Sequence, residues 1–263
     1  MLPGPRLNAS NGPHVLTNLL FFAISTLAPP PDAMRADTVS AEQWADSART
    51  AIEAAFVRGR PEEVAGARRI AEHGLERFPN DALLRHYQGY AYFREGLLLE
   101  GGDARAVLEK AKDALERSLT QRELPESRAV LAAVFGNLIG SSVFRAVRFG
   151  RASASEMDRA VALAPSNPRV WMLKGAGALY QPAILGGGAD RAEIALRKSI
   201  ELFAGDHPAA SMPAWGHAEV HGWLALALAK QGKLAEARAA LVQGLAAEPG
   251  HSFLLSRVKP VVK

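Results

Sequence analysis

Residues 217–221, HAEVH, set His217 and His221 one helical turn apart, the spacing two imidazoles on one helix face need to share a zinc ion. The glutamate does not follow the first histidine, as H-E-x-x-H requires, and no third ligand accompanies the pair. The stretch therefore reads as packing, with no metal. A second candidate is GGGAD at 186–190, whose backbone amides could cradle a phosphate ahead of a helix. No Lys-Ser/Thr follows it and no strand precedes it, so a hairpin insertion is expected instead. Arg145, Arg148 and Arg151 form a small basic run, and Asp103, Glu109, Asp113 and Glu116 an acidic one; both read as solvated helix faces. No Ser/His/Asp set or paired carboxylates can be brought together by spacing, so the chain is expected not to be an enzyme and to need no cofactor.

Composition narrows the field further. Apolar residues make up 48% of the 263 and charged residues 22%, which suits a folded chain with a substantial core. A net charge of +4, with 31 basic and 27 acidic side chains spread along the chain, is too mild for a nucleic-acid-binding face. The absence of cysteine removes disulfides, thiolate metal sites and a cysteine nucleophile together. The apolar run VLTNLLFFAISTLA, residues 15–28, is too short to span a bilayer but fits the core of a secretory signal. Residues 1–36 are accordingly expected to be a signal peptide or disordered leader, and the protein to be exported to the periplasm or secreted. Only Arg6 precedes the run and no clean cleavage site follows, which keeps a cytoplasmic location as the alternative.

The elements that must position any site are helical. QGKLAEARAALVQGLAAEP, residues 231–249, places Ala237, Ala240, Leu241, Gly244 and Leu245 on one helix face. The same grammar of small and apolar residues at offsets 0, 3, 4, 7 and 8 begins at Ala67, Ala111, Ser153, Ala192 and Ala237. Small side chains on such a face let a neighbouring helix approach to about 8 Å. Gly74 and Gly244 each cost about 1 kcal/mol of helix propensity, which close packing offsets. A second helical pattern leads each seam helix: 41–56, 83–99, 127–144, 168–180 and 217–230. Turns are expected at Gly59 with Pro61, at 100–103, at Gly150, at 181–188 and at 231–233.

Together these units resemble the tetratricopeptide repeat (TPR) family, whose pattern is W-x2-L-G-x2-Y, then Ala, an apolar residue, Ala and Pro. The last unit matches at Leu224, Ala225, Leu228, Gly232, Ala237, Leu241, Gly244 and Pro249. The fourth matches at Trp171, Gly175, Ala192, Leu196 and Ser199, the second at Gly89, Tyr92, Ala111, Leu115 and Ser118. Phe135, Gly136, Ile139, Met157 and Ala160 carry the third, and Ala67, Ala71, Gly74 and Pro79 the first. Seam starts at 67, 111, 153, 192 and 237 are longer apart than the family period of about 34, so the excess belongs to loops and extensions. The resemblance implies an all-α solenoid, a right-handed superhelix of hairpins at about 40–79, 81–120, 126–165, 167–205 and 214–249, with a cap at 251–263.

Solenoids of this kind bind partners in a concave groove lined by the leading helices. Register with the family puts His86, Tyr90, Phe93 and Arg94 of the second unit there, then Val130, Asn137 and Ser141 of the third. Arg169, Met172 and Tyr180 follow in the fourth and Glu219 in the fifth. A carboxylate clamp known in one subtype is incomplete, since Ala133 and Leu173 stand at two of its positions, and it is not carried over. The expected function is a non-enzymatic scaffold gripping a protein or peptide in this groove, with no nucleic acid and no transmembrane span. The alternative is a small-ligand-binding helical accessory protein, such as a transporter-associated subunit, with an apolar pocket between hairpins.

Overall fold

The computed structural model describes residues 39–140 and 143–263, so the expected leader at 1–36 lies outside the described residues. Among the described residues ten α-helices follow one another, and there is no strand. They pair as α1 (Ala41–Arg58) with α2 (Pro61–Arg77), α3 (Ala82–Leu98) with α4 (Gly101–Gln121), and α5 (Pro125–Leu138) with α6 (Val143–Leu163). Two further pairs are α7 (Pro168–Tyr180) with α8 (Ala189–Phe203) and α9 (His217–Lys230) with α10 (Leu234–Ala247). A single π-helical turn, Leu254–Val258, packs on both helices of the last pair. No helix among the described residues is long and apolar enough to cross a membrane.

Local chemistry sets the helix ends. Ser40 caps α1 in a reciprocal box with Gln43, Asp81 accepts from the amides of Leu83 and Leu84, and Asn167 accepts from that of Arg169. Proline occupies the first turn of α2, α5 and α7, where its missing N–H has no intrahelical partner to lose.

The seam residues are where the spacing put them. Ala71, Ala111, Leu115, Ala192, Leu196 and Ala237 are fully buried, and Gly74 and Gly244 are buried as well. Their closeness is measurable at the glycines of the leading helices: a Cβ on Gly89 would lie 2.7 Å from Leu115 Cγ, and one on Gly175 2.6 Å from Leu196 Cγ. Seam hydroxyls add hydrogen bonds across the same contact. Ser118 Oγ donates to the Ala82 carbonyl at 2.8 Å and Ser199 Oγ to that of Pro168 at 2.7 Å.

The third hairpin departs from expectation. Its leading helix ends at Leu138 rather than running to 144, and α6 passes straight through Gly150, where the turn was expected. Gly140, at φ 56°, adopts the left-handed conformation that stops a helix, so the turn falls ten residues earlier.

Candidate functional site

Side chains of the leading helices meet inside the stack around Arg94, which is only 2% exposed. Its guanidinium makes a two-pronged contact with the carboxylate of Glu219 on α9, with Nη1 2.8 Å from Oε2. Arg94 Nε donates to the Tyr90 hydroxyl at 2.6 Å, and that hydroxyl donates to Glu53 of α1. The guanidinium carbon also lies 4.0 Å from the centre of the Phe56 ring. Burial would raise the Glu219 carboxyl, but the charge and hydrogen bonds of Arg94 prevail and hold it below the ordinary range. For Glu53, burial outweighs the pull of Arg94, and the neighbouring Glu219 charge adds to it, so that carboxyl is raised. One arginine thus faces one ionised carboxylate and one that holds its proton more tightly.

The stretch between α8 and α9, residues 204–216, fills the space beside this cluster. Asp206 takes the guanidinium of Arg169, with Nη1 to Oδ1 at 3.0 Å, and the Ser211 carbonyl accepts from the Tyr87 hydroxyl at 2.6 Å. Trp215, 2% exposed, stacks on Tyr90 with ring centres 5.1 Å apart, while His86 stacks on Tyr90 at 5.9 Å. His86 is fully buried, its Nδ1 2.9 Å from Ser127 Oγ; burial, with the Arg122 charge, lowers its pKa to about 3.

The trough expected to be open is therefore occupied by the chain itself. His86, Tyr90, Phe93, Arg94, Val130, Arg169, Met172 and Glu219 are all buried, and a partner has no access to them. Of the other expected groove residues, Asn137 and Tyr180 are exposed, and Ser141 lies outside the described residues. The error has a physical source. Helical register identifies which face of each leading helix turns inward, but an inward face can be covered by a loop as well as by a ligand.

Other sequence candidates resolve locally. The Gly187 amide donates to the Pro182 carbonyl at 3.1 Å and the Gly188 amide to that of Ala178 at 2.8 Å, so two amides of the glycine run are spent inside the turn. His217 and His221 pack edge to face, 6.1 Å between centres, with Phe203 against His217.

Among the open surfaces of the described residues, two bear on function, and neither was assembled from the sequence. The first is an aromatic ridge. Tyr180 (67% exposed), Ile184 (92%) and Leu185 (66%) stand out around the α7–α8 turn. Tyr180 meets Trp223 of α9 edge to face at 6.3 Å, and Trp223 meets Phe253 at 4.7 Å. Lys230 Nζ sits 5.0 Å from the Tyr180 ring centre and donates to the Leu179 carbonyl. A hint was present in QPAILGGG, where two large aliphatics occupy a turn. The second surface is a cleft of about 420 Å³ where the α3–α4 turn meets the end of α5 and the start of α6. Asn137 and Arg145 line it, with Arg105 of α4.

No protein-family profile matches the chain, and no curated protein matches it by sequence. Among solved structures it is similar to the HusA haemophore from Porphyromonas gingivalis, at 21% identity and a TM-score of 0.59, covering 74% of this chain and 96% of that one. It is also similar to a thermophilic TPR protein of Thermus thermophilus, at 18% identity and a TM-score of 0.57, covering 76% and 91%. The fold is a TPR-like helical repeat. At these identities the likeness extends to the fold alone, an all-α solenoid of paired helices.

Proposed function

We propose that the protein is a non-enzymatic scaffold that binds a segment of a partner protein along the ridge of Tyr180, Ile184, Leu185, Trp223 and Phe253. The exposure of Ile184 beside an aromatic row carries this reading: large apolar side chains grouped at one surface cost solvation that burial against a partner recovers. Lys230 lies against Tyr180 at this row, so the fitting segment is apolar with an acidic residue at its edge. The non-enzymatic part rests on how the buried ionisable groups are used, since Arg94, Glu219 and Glu53 are spent on one another. Export of the chain, suggested by the apolar run at 15–28, belongs to the same proposal.

The test is crosslinking in native lysate followed by a direct affinity measurement on the recovered partner. Tyr180→Ala with Ile184→Glu should weaken binding by more than about 2 kcal/mol and leave the melting temperature unchanged. A double variant that retains every wild-type partner at equal affinity removes the ridge from consideration.

A second reading, a small-ligand-binding accessory protein, is favoured by the cleft at the α3–α4 turn, whose volume falls within the range of small-molecule sites. The fold likeness to a haemophore sits with this reading.

A further inference from the structure

The geometry points to the cleft bounded by the α3–α4 turn, the end of α5 and Arg145 near the start of α6 as a binding site for a small amphiphilic monoanion, a carboxylate carrying an apolar chain. This inference rests on the small-ligand reading and is independent of the aromatic ridge.

The floor is apolar. Leu108 and Leu138 are buried beneath it and Leu97 and Leu99 are half-buried at its wall, so an alkyl chain laid there exchanges water for leucine methyls. Two cations stand on different helices at the edge, Arg105 on α4 and Arg145 on α6. Neither forms an ion pair among the described residues, so both charges are available to a ligand, unlike the guanidinium groups of Arg94 and Arg169, which hold carboxylates. Arg145 is positioned: its Nε donates to the Ile139 carbonyl at 3.3 Å, and a Cβ on Gly140 would lie 3.3 Å from its Nη2. The guanidinium is thus laid across the turn, where a side chain at 140 would crowd it. Asn137, on the same wall, spends one amide N–H on the Ala133 carbonyl, leaving its second N–H and its carbonyl oxygen for a ligand.

Charge selects the headgroup. Glu100 also lines the cleft, so two arginines and one glutamate leave a formal charge of +1. A single carboxylate is balanced by that charge, while a dianion overshoots it and a cation is repelled. A guanidinium offers a planar fork of donors that matches a carboxylate, and the cleft is lined by two. The combination of apolar floor and cationic rim also sets an order of affinity: chain length governs the floor contribution, and the headgroup charge governs the rim.

Decanoate is the probe, titrated into the full chain by calorimetry, with 1-decanol as its uncharged counterpart. One decanoate should bind per chain. Arg105→Gln with Arg145→Gln should weaken it at least tenfold at unchanged helicity and melting temperature, and should leave the weaker binding of 1-decanol unaltered. A nitroxide placed on the acyl chain should broaden the methyl signals of Leu97, Leu99 and Leu108 in the wild type. Three results overturn the proposal. Wild-type protein that binds no decanoate removes the ligand class. Binding that survives intact in the double arginine variant removes this cleft while leaving the small-ligand reading standing. Binding abolished by Tyr180→Ala with Ile184→Glu, but not by the arginine variant, moves the ligand to the ridge.

Discussion

Glu219→Ala tests the buried cluster most directly. The substitution leaves the Arg94 guanidinium, 2% exposed, without its two-pronged partner. Removing one member of a buried ion pair costs about 3–5 kcal/mol, because the remaining charge stays out of water unpaired. The loss is not total here, since a Glu53 oxygen lies 3.8 Å from Arg94 Nη2 and can ionise in response. We therefore expect about 3 kcal/mol for Glu219→Ala, and the upper end, about 5 kcal/mol, when Glu53→Gln is added. In a folded unit of this size each kcal/mol lowers the melting temperature by about 2–4 °C, so the single variant should melt about 10 °C lower. Arg94→Met combined with Glu219→Leu should recover most of the loss, since it removes both charges at similar volume. Urea denaturation followed by circular dichroism, with m-values compared, is the assay. A cost under about 1 kcal/mol for Glu219→Ala, or a charge-free pair no better than the single variant, would refute the assignment of a dry, stability-bearing ion pair.

Two further predictions concern His86 and the glycines. His86 has a folded-state pKa of about 3 against 6.5 in the unfolded chain, so between those values the unfolded state binds more protons and stability rises with pH. Acidification from pH 6.5 to about 3 should therefore remove roughly 1.4 kcal/mol per unit through this residue, and His86→Phe should flatten that limb of the stability curve. An unchanged limb in the variant would assign the acid sensitivity to other groups, with His251 and His221, both also lowered by burial, the next to test. Gly244→Leu should cost roughly 1–3 kcal/mol, since even a Cβ there lies 3.0 Å from the Ala218 carbonyl oxygen and from Leu254 Cδ1. Gly136→Ala, on the exposed face of α5 with nothing closer than 4.0 Å, should instead stabilise by about 0.5–1 kcal/mol. Equal shifts in the two denaturation midpoints would show that helix propensity, and not packing, governs both positions.

The solenoid was legible because its signal is periodic and local. Ala71, Ala111, Ala192 and Ala237 announce a close seam through their size, and the structure buries all four completely. Gly140 was harder to weigh against Gly150, since both are glycines near a hairpin and only backbone conformation separates a helix stop from a helix interior. The functional surface was less legible still. Tyr90, Arg94 and Glu219 do face inward as their register requires, yet part of what covers the cluster is Trp215, from 204–216, a stretch without periodicity. Nothing in GDHPAASMPAW states that its tryptophan will stack on a tyrosine 125 residues earlier, because that contact depends on how five hairpins curve together. The ridge and the cleft share this difficulty. Trp223 with Phe253, and Arg105 with Arg145, are brought together by tertiary placement and by no spacing along the chain.

The bond between Arg94 and Glu219 joins residues 125 positions apart, and it alters how the molecule comes together and comes apart. A stack in which each repeat touches only its neighbours folds as a chain of local events, and its terminal repeats open by themselves. A tie from the second hairpin to the fifth works against that independence. Closing a loop of that length costs roughly 4 kcal/mol of chain entropy, so the tie is expected to form late, after the hairpins between are in place. Once formed, the final hairpin cannot peel away without breaking the tie to the second and releasing Trp215 from its slot. Amide exchange in α9 should then report the opening of the whole body and not the fraying of an end. Together with the Tyr87–Ser211 bond, this tie is expected to make a row of semi-independent repeats open as one cooperative unit.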